Sequence, residues 1–210
     1  MPRALDLFCG AGGASMGLHR AGFDVVGLDH RPQPRYPFRF VQGDALAPPF
    51  DLRRFDLIWA SPPCQVWSLA KYIHRGTAAR DLIGATRALL AETGAETIIE
   101  NVPYAPIRAD FILTGCDFGL RVIRRRHFET SFFDLHPEPW KPKNAVSHGD
   151  YTTVAGHGVP DRRHGGAVRK HVWERAIGID WMSRNELAQA VPPAYAEFLG
   201  RAALRARMIA

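Results

Sequence analysis

Five short apolar runs, separated by turn-rich or helix-length stretches, fill the first hundred residues, and this alternation restricts the fold more than any other feature. Ala4-Leu5-Asp6-Leu7-Phe8, Asp24-Val25-Val26-Gly27-Leu28, Phe40-Val41-Gln42, Asp56-Leu57-Ile58-Trp59-Ala60 and Glu96-Thr97-Ile98-Ile99-Glu100 each read as a strand. The pattern predicts a helix from about Gly13 to Ala21. A second is expected from about Ala78 to Ala91, with apolar residues at Leu82, Ile83, Ala85, Leu89 and Leu90. Strands alternating with helices at this spacing predict an α/β fold, a mostly parallel Rossmann-like sheet covered on both faces. Ligands in such sheets lie beyond the carboxyl ends of the strands, so the residues that follow each run carry the functional weight.

A chain of 210 residues suits one such domain with a short insertion. Between Ser131 and Arg175 the composition changes: four prolines, five glycines and five of the nine histidines fall there, with Asp150-Tyr151-Thr152-Thr153-Val154 as the strand candidate. Segments of this kind are functional loops or small subdomains. Helical periodicity returns afterwards, with an N-cap at Ser183, a helix through Gln189, a break at Pro192-Pro193 and a last helix from Ala194 to Arg207. The expected division is 1–130 for the catalytic and cofactor-binding part, 131–175 for the insertion, and 176–210 for helices completing the first part. No run reaches the ~20 apolar residues of a membrane span, and the N-terminus lacks the apolar core of a signal peptide. The expectation is a soluble, cytoplasmic monomer with no membrane contact. Cys9, Cys64 and Cys116 form no paired spacing that would suggest disulfides or zinc, so no metal is expected. A net charge of +6 favours a polyanionic partner.

Ser61-Pro62-Pro63-Cys64-Gln65 is the sharpest chemical signal. Two prolines after a buried strand fix the backbone and present Cys64 at the strand's carboxyl edge, a placement suited to nucleophilic catalysis. Trp67, Lys71, Tyr72, His74 and Arg75 follow, an aromatic and basic mixture that suits nucleic acid or an ordinary surface loop. Phe8-Cys9-Gly10-Ala11-Gly12-Gly13 is a glycine-rich turn opening a helix, where backbone can approach a ligand. Asp29 ends the second strand about 20 residues on, where an acid typically holds ribose hydroxyls; a cap or turn role remains open. Asp44, in Gly43-Asp44-Ala45, could accept from an adenine amino group or serve a turn. No GxxxxGK[ST] loop is present, which favours a nucleoside cofactor without a polyphosphate.

On these residues the chain resembles the cytosine-5 DNA methyltransferases. Asp6 to Gly13 is similar to the family's cofactor motif, Pro62-Pro63-Cys64-Gln65 to its nucleophile motif and Glu100-Asn101-Val102 to its catalytic-acid motif. Arg124 and Arg126 are similar to its arginine pair, and Ala190-Val191-Pro192-Pro193 to its closing segment. The resemblance implies transfer of a methyl group from S-adenosylmethionine to C5 of cytosine in flipped-out DNA, leaving S-adenosylhomocysteine. It implies Cys64 as nucleophile on C6, Glu100 bonding N3 while protonated, Arg126 at O2, and Arg124 supporting the site or the phosphates. Both arginines are expected to favour the Cys64 thiolate. The implied cofactor residues are Phe8 through Gly13, Asp29, His30 stacking on adenine, Asp44, Ala45, Pro63, Ala190 and Val191. The chain departs from the family pattern at Val122, where glutamine is usual, at Ala188-Gln189 in place of Gly-Asn, and at Asp29 and His30. A restriction–modification role is implied; the same chemistry on tRNA or other RNA, a modified donor, and a catalytically silent DNA-binding relative are the alternatives. The short insertion, with Asp161 to Gly166 and Arg169-Lys170-His171 as contact candidates, predicts a short recognition sequence. Bisulfite sequencing of exposed DNA checks this; methylation confined to one long motif contradicts it.

Overall fold

The central strands are buried almost without interruption, and because successive side chains of a strand point to opposite faces, alternate residues enter two separate cores. A computed structural model describes residues 1–67, 81–132, 151–154, 160–161, 166–167 and 169–209. The first strands are β1 (Arg3–Leu7), β2 (Asp24–Asp29), β3 (Arg39–Gln42), β4 (Leu57–Ala60) and β5 (Glu96–Asn101). They are followed by β6 (Phe111–Leu113) and β7 (Arg126–Thr130), giving a seven-stranded sheet in the order β3-β2-β1-β4-β5-β7-β6. The β1–β2, β1–β4, β2–β3 and β4–β5 pairs are parallel, and β7 runs antiparallel to both neighbours. This is a mixed, mostly parallel α/β sheet, as the alternation of strands and helices predicts.

One face of the sheet buries Ala4, Val25, Leu57, Trp59, Ile98 and Phe128 under α1 (Gly13–Ala21) and α5 (Pro193–Ile209). The opposite face buries Leu5, Val26, Ile58 and Ile99, one residue further along each strand, under α2 (Ile83–Ala91) and the aromatic rings of Phe50 and Phe55. A third cluster joins Val122 and Val154 to Trp173 and Ile177 of α3 (Lys170–Ile177) and Leu187 of α4 (Arg184–Gln189). Thus α3 begins inside the span read from the sequence as an insertion and carries a fully buried tryptophan into the core. A two-residue pairing, β8 (Pro160–Asp161) with β9 (Gly166–Ala167), lies apart from the main sheet. Among the described residues no helix is long and apolar enough to cross a membrane.

Several local expectations need correction. The segment read as a strand at Tyr151 to Val154 is irregular; its Asp150 lies outside the described residues. Its backbone is used singly instead, Thr152 N–H donating to the Arg121 carbonyl at 2.7 Å. The second helix begins at Ile83, because Asp81 Oδ1 accepts from the Ile83 N–H as an end cap and leaves Leu82 outside; Ala78 is outside the described residues. The break after Gln189 is present, but the last helix runs from Pro193 to Ile209 rather than Ala194 to Arg207, with Pro193 in a first-turn position where a missing N–H costs nothing. No helix separates β2 from β3, since Pro32, Pro34 and Pro37 fill that stretch; Tyr36 packs instead edge-on to Phe38 and against Phe40.

α1 and α5 meet at Gly17. A Cβ there would press on the Pro193 carbonyl, lie 2.7 Å from Glu197 N and 2.8 Å from Ala196 Cβ, and backbone atoms cannot swing aside. Gly17→Ala is expected to cost about 1–3 kcal/mol, lowering Tm by roughly 2–4 °C per kcal/mol. Gly84→Ala on exposed α2, whose Cβ would meet nothing within 4 Å, should raise Tm slightly. Thermal melts of the two variants check both signs.

Candidate active site

The carboxyl ends of β1, β4 and β5 bring the sequence motifs together. β4 ends at Ala60, and Ser61 N–H still donates to the Leu7 carbonyl at 3.2 Å, so the following Pro62-Pro63 leaves the sheet directly beside β1. Asn101, buried at the end of β5, clamps this loop. Its Nδ2 donates to the Pro62 carbonyl at 3.0 Å, while its Oδ1 accepts from Val102 N–H at 2.9 Å. Cys64 is thereby held half-exposed, with its carbonyl accepting from Trp67 N–H. The other thiols, Cys9 and Cys116, are buried.

Beside Cys64 lies a buried ion pair. Arg126 Nε donates to Glu100 Oε1 at 2.9 Å, with the two side chains 17% and 7% exposed. The antiparallel register, Glu100 opposite Phe128 and Asn101 opposite His127, sets the first residue of β7 next to the carboxyl end of β5. Burial raises the Glu100 pKa above the usual carboxyl range; Arg126, the Ser61 hydroxyl and Arg124 work against that rise without cancelling it. The protonated carboxyl expected from the sequence has this physical basis. For Cys64 the expectation needs amendment: Arg126 and Arg124 do pull its pKa down, but burial and the Glu100 charge outweigh them and the thiol is pushed up.

Arg124 is not directed at phosphate. Its Nη1 donates to the Val154 carbonyl at 2.8 Å and its Nη2 to the Ala188 carbonyl at 2.7 Å. Tyr195 Oη donates to the Arg124 carbonyl, holding this non-glycine residue at φ 32. Burial and Arg126 bring the Arg124 pKa down to about 9, so the group stays charged at neutral pH. It ties together the turn before β7, residues 151–154 and the end of α4. The departures at Val122 and Ala188 fit this tie: Val122 is buried in the third cluster, and Ala188 offers only its carbonyl.

The glycine-rich turn proves heterogeneous. Gly10, at φ +49, has nothing within 4 Å of where a Cβ would be, so its backbone faces open space. Gly12, at φ +85, makes room for protein: a Cβ would lie 2.9 Å from Pro37 and 3.0 Å from the Tyr36 ring. Gly13 admits the Val191 backbone. Ala11 is buried, its carbonyl accepting from Trp181 Nε1 at 2.8 Å. Cys9 turns its sulfur inward toward Gly27, and Phe8, at φ 60, packs on the second face. Asp6 binds α1 through the Ser15 hydroxyl, which also contacts Tyr36 Oη at 2.7 Å, and burial lifts its pKa to about 7. Only part of this turn is therefore free for a ligand.

Asp29, buried at the end of β2, accepts from Gly10 N–H and Arg31 N–H at 3.0 Å each, and its carboxylate lies 3.2 Å from His30 Nδ1. It fastens the turn to β2 and the exposed His30. Asp44 is exposed and accepts from Leu46 N–H at 2.9 Å, closing a turn beside buried Ala45. Pro63 lies half-buried next to Cys64, and Ala190-Val191 runs against α1 at Gly13. Sequence reasoning passed over Ser61, Tyr36, Trp181 and Tyr195; their roles come from contacts across large sequence separations. Arg169 and Lys170 are exposed, Lys170 paired to Glu174 at 2.8 Å, whereas residues 71–75 and 162–165 lie outside the described residues.

Residues 3–105 match the model of a protein family described as C-5 cytosine-specific DNA methylase. Over this stretch, just under half of its length, the chain matches the cytosine-5 methyltransferases. It is 31% identical over 116 residues to the type II methyltransferase M.HgiDI of Herpetosiphon aurantiacus, a match covering 49% of this chain and 38% of that protein. The matched part of the chain thus spans well under half of that relative. Its fold is similar to an E. coli prophage protein described as a DNA modification methyltransferase (TM-score 0.65, 15% identity, 99% of this chain and all of that one). It is also similar to the Dnmt2 methyltransferase of S. pombe (TM-score 0.63, 11% identity, 97% and 98% covered).

The charges around Cys64 predict its reactivity. Iodoacetamide labelling followed by mass spectrometry should give a Cys64 midpoint above the ordinary thiol range, with Cys9 and Cys116 labelled slowly. Glu100→Gln, which removes a charge that opposes the thiolate, should lower that midpoint.

Proposed function

We propose that the protein transfers a methyl group from S-adenosylmethionine to C5 of cytosine in DNA, through a covalent bond between Cys64 and C6. The observation that carries this reading is a half-exposed thiol at the carboxyl edge of β4, flanked by the buried Glu100–Arg126 pair. S-adenosylmethionine supplies an electrophilic methyl group when bound. Open backbone at Gly10, a buried carboxylate at the end of β2 in Asp29, and the strand-end position of Asp44-Ala45 fit a nucleoside at these carboxyl edges. Phe8, His30, Pro63 and Val191 complete the residues suited to hold it.

Cytosine C5 is a poor nucleophile, and the thiol's work is to change that. The Cys64 thiolate forms an S–C6 bond, and the electron pair of the C5–C6 double bond moves to C5, which can then accept the methyl group. Charge accumulating on the ring is met by Glu100, whose burial favours the protonated form that can donate to N3. Arg126, oriented by Glu100, is the donor suited to O2. Loss of the C5 proton to a base re-forms the double bond and expels Cys64 as thiolate. A base inside a duplex cannot meet Cys64, so the cytosine is flipped out. The net charge of +6 and the exposed Arg121 and Arg125 near the site favour a polyanion.

Mass spectrometry of nucleosides tests this directly, with DNA and RNA offered separately alongside S-adenosylmethionine. The expected product is 5-methyldeoxycytidine, lost by more than about a thousandfold in Cys64→Ser. Undiminished methylation by Cys64→Ser removes the covalent route, and product confined to RNA reassigns the polymer.

A further inference from the structure

Glu100 is surrounded by groups from four directions: Arg126 and Arg124 from β7 and the turn before it, Cys64 from the loop after β4, Asp6 from β1, and Ser61 at the end of β4. Tyr195 of α5 lies behind the two arginines. Four of these bear on Glu100 through charge. Ser61 is uncharged: the parallel β4–β5 register, with Ala60 opposite Ile99, sets it beside Glu100, whose carboxylate its hydroxyl stabilises, and its own hydrogen is directed by a third residue. Trp59 Nε1 donates to Ser61 Oγ at 2.8 Å. An indole N–H can only donate, so the serine oxygen is the acceptor there and its single hydrogen is left for Glu100. Trp59 cannot turn away: it is fully buried on β4 and meets Phe128 edge-on at 5.7 Å between ring centres. Pro62 confines Ser61 to extended backbone, which fixes the other end of the link.

We propose that Ser61, with its hydroxyl steered by Trp59, is a positioning residue that holds the Glu100 carboxyl in one orientation toward the target base. Two donors, Ser61 Oγ–H and Arg126 Nε–H, occupy lone pairs of the carboxyl on the protein side. A proton carried by Glu100 is thereby restricted to the remaining lone pairs, the ones available to a ring nitrogen. The role of Glu100 rests on the function proposed above; the link between Ser61 and Glu100 does not.

The test compares wild type, Ser61→Ala, Ser61→Thr and Trp59→Phe by two readouts. The first is the pH dependence of kcat and KM with DNA and S-adenosylmethionine. The second is the infrared carbonyl band of protonated Glu100, assigned by difference from Glu100→Gln and titrated without substrate. Loss of a donor to the charged form should move the Ser61→Ala titration to higher pH. Its kcat should fall on the order of tenfold with KM nearly unchanged, and the alkaline limb of the rate profile should move the same way. Ser61→Thr, which keeps the hydroxyl, should restore both readouts; Trp59→Phe, which frees the hydroxyl to rotate, should fall between. A Glu100 band that titrates as in wild type in Ser61→Ala overturns the proposal, as does a shifted band with unchanged kcat. If wild type yields no 5-methylcytosine, the function proposed above fails, while the substrate-free titration still decides whether Ser61 governs Glu100.

Discussion

A single buried ion pair organises the carboxyl edge of the sheet. Taking Glu100 and Arg126 out of water is costly for each alone, and their 2.9 Å contact offsets that cost only while both are present. The pairing of β5 with β7 brings them together, so a slip of one residue in that register would strand two charges among Trp59, Phe128 and Tyr195. Once the pair is fixed, its neighbours acquire their properties from it. The acidity of Cys64 is a balance of burial against the two arginines, and Arg124 is left to bind main chain because its neighbour already meets the carboxylate.

The glycine-rich turn distributes its three glycines among separate tasks. One leaves backbone open, one admits an aromatic ring and a proline, and one lets the closing segment approach α1. Asp29 and Asp6 likewise act as fasteners, the first between turn and β2, the second between β1 and the start of α1. Short polar bridges of this kind explain how a loop that must remain accessible can still be held rigid.

The first five strands and the positions of Cys64 and Glu100 were legible in the sequence because each is a local pattern: a run of apolar residues, a proline pair, a strand end. β6 and β7 were not read, and Arg126 at the start of β7 was singled out by the resemblance alone. What lay beyond reading was decided by contacts between distant residues. Nothing near Gly12 announces Tyr36, whose ring packs against it. Val122 looked like a departure from a polar motif, yet its burial beside Trp173 makes an apolar residue the natural occupant. The 151–154 segment has the composition of a strand but finds no partner strand among the described residues, and gives its carbonyl to Arg124 instead. The thiolate expectation for Cys64 weighed the charges and omitted burial, a quantity that composition does not supply.

The contacts of Trp181 with Ala11 and of Val191 with Gly13 join the last fifth of the chain to its first thirteen residues. During synthesis the opening turn therefore emerges long before the segments that brace it. α1 must wait with its Gly17 groove uncovered, and the edge of β1 can take its final shape only when α5 has left the ribosome. A chain cut after the region matched by the family would possess Cys64 and Glu100, yet lack both the β7 arginine and the far-end braces that hold the turn in place.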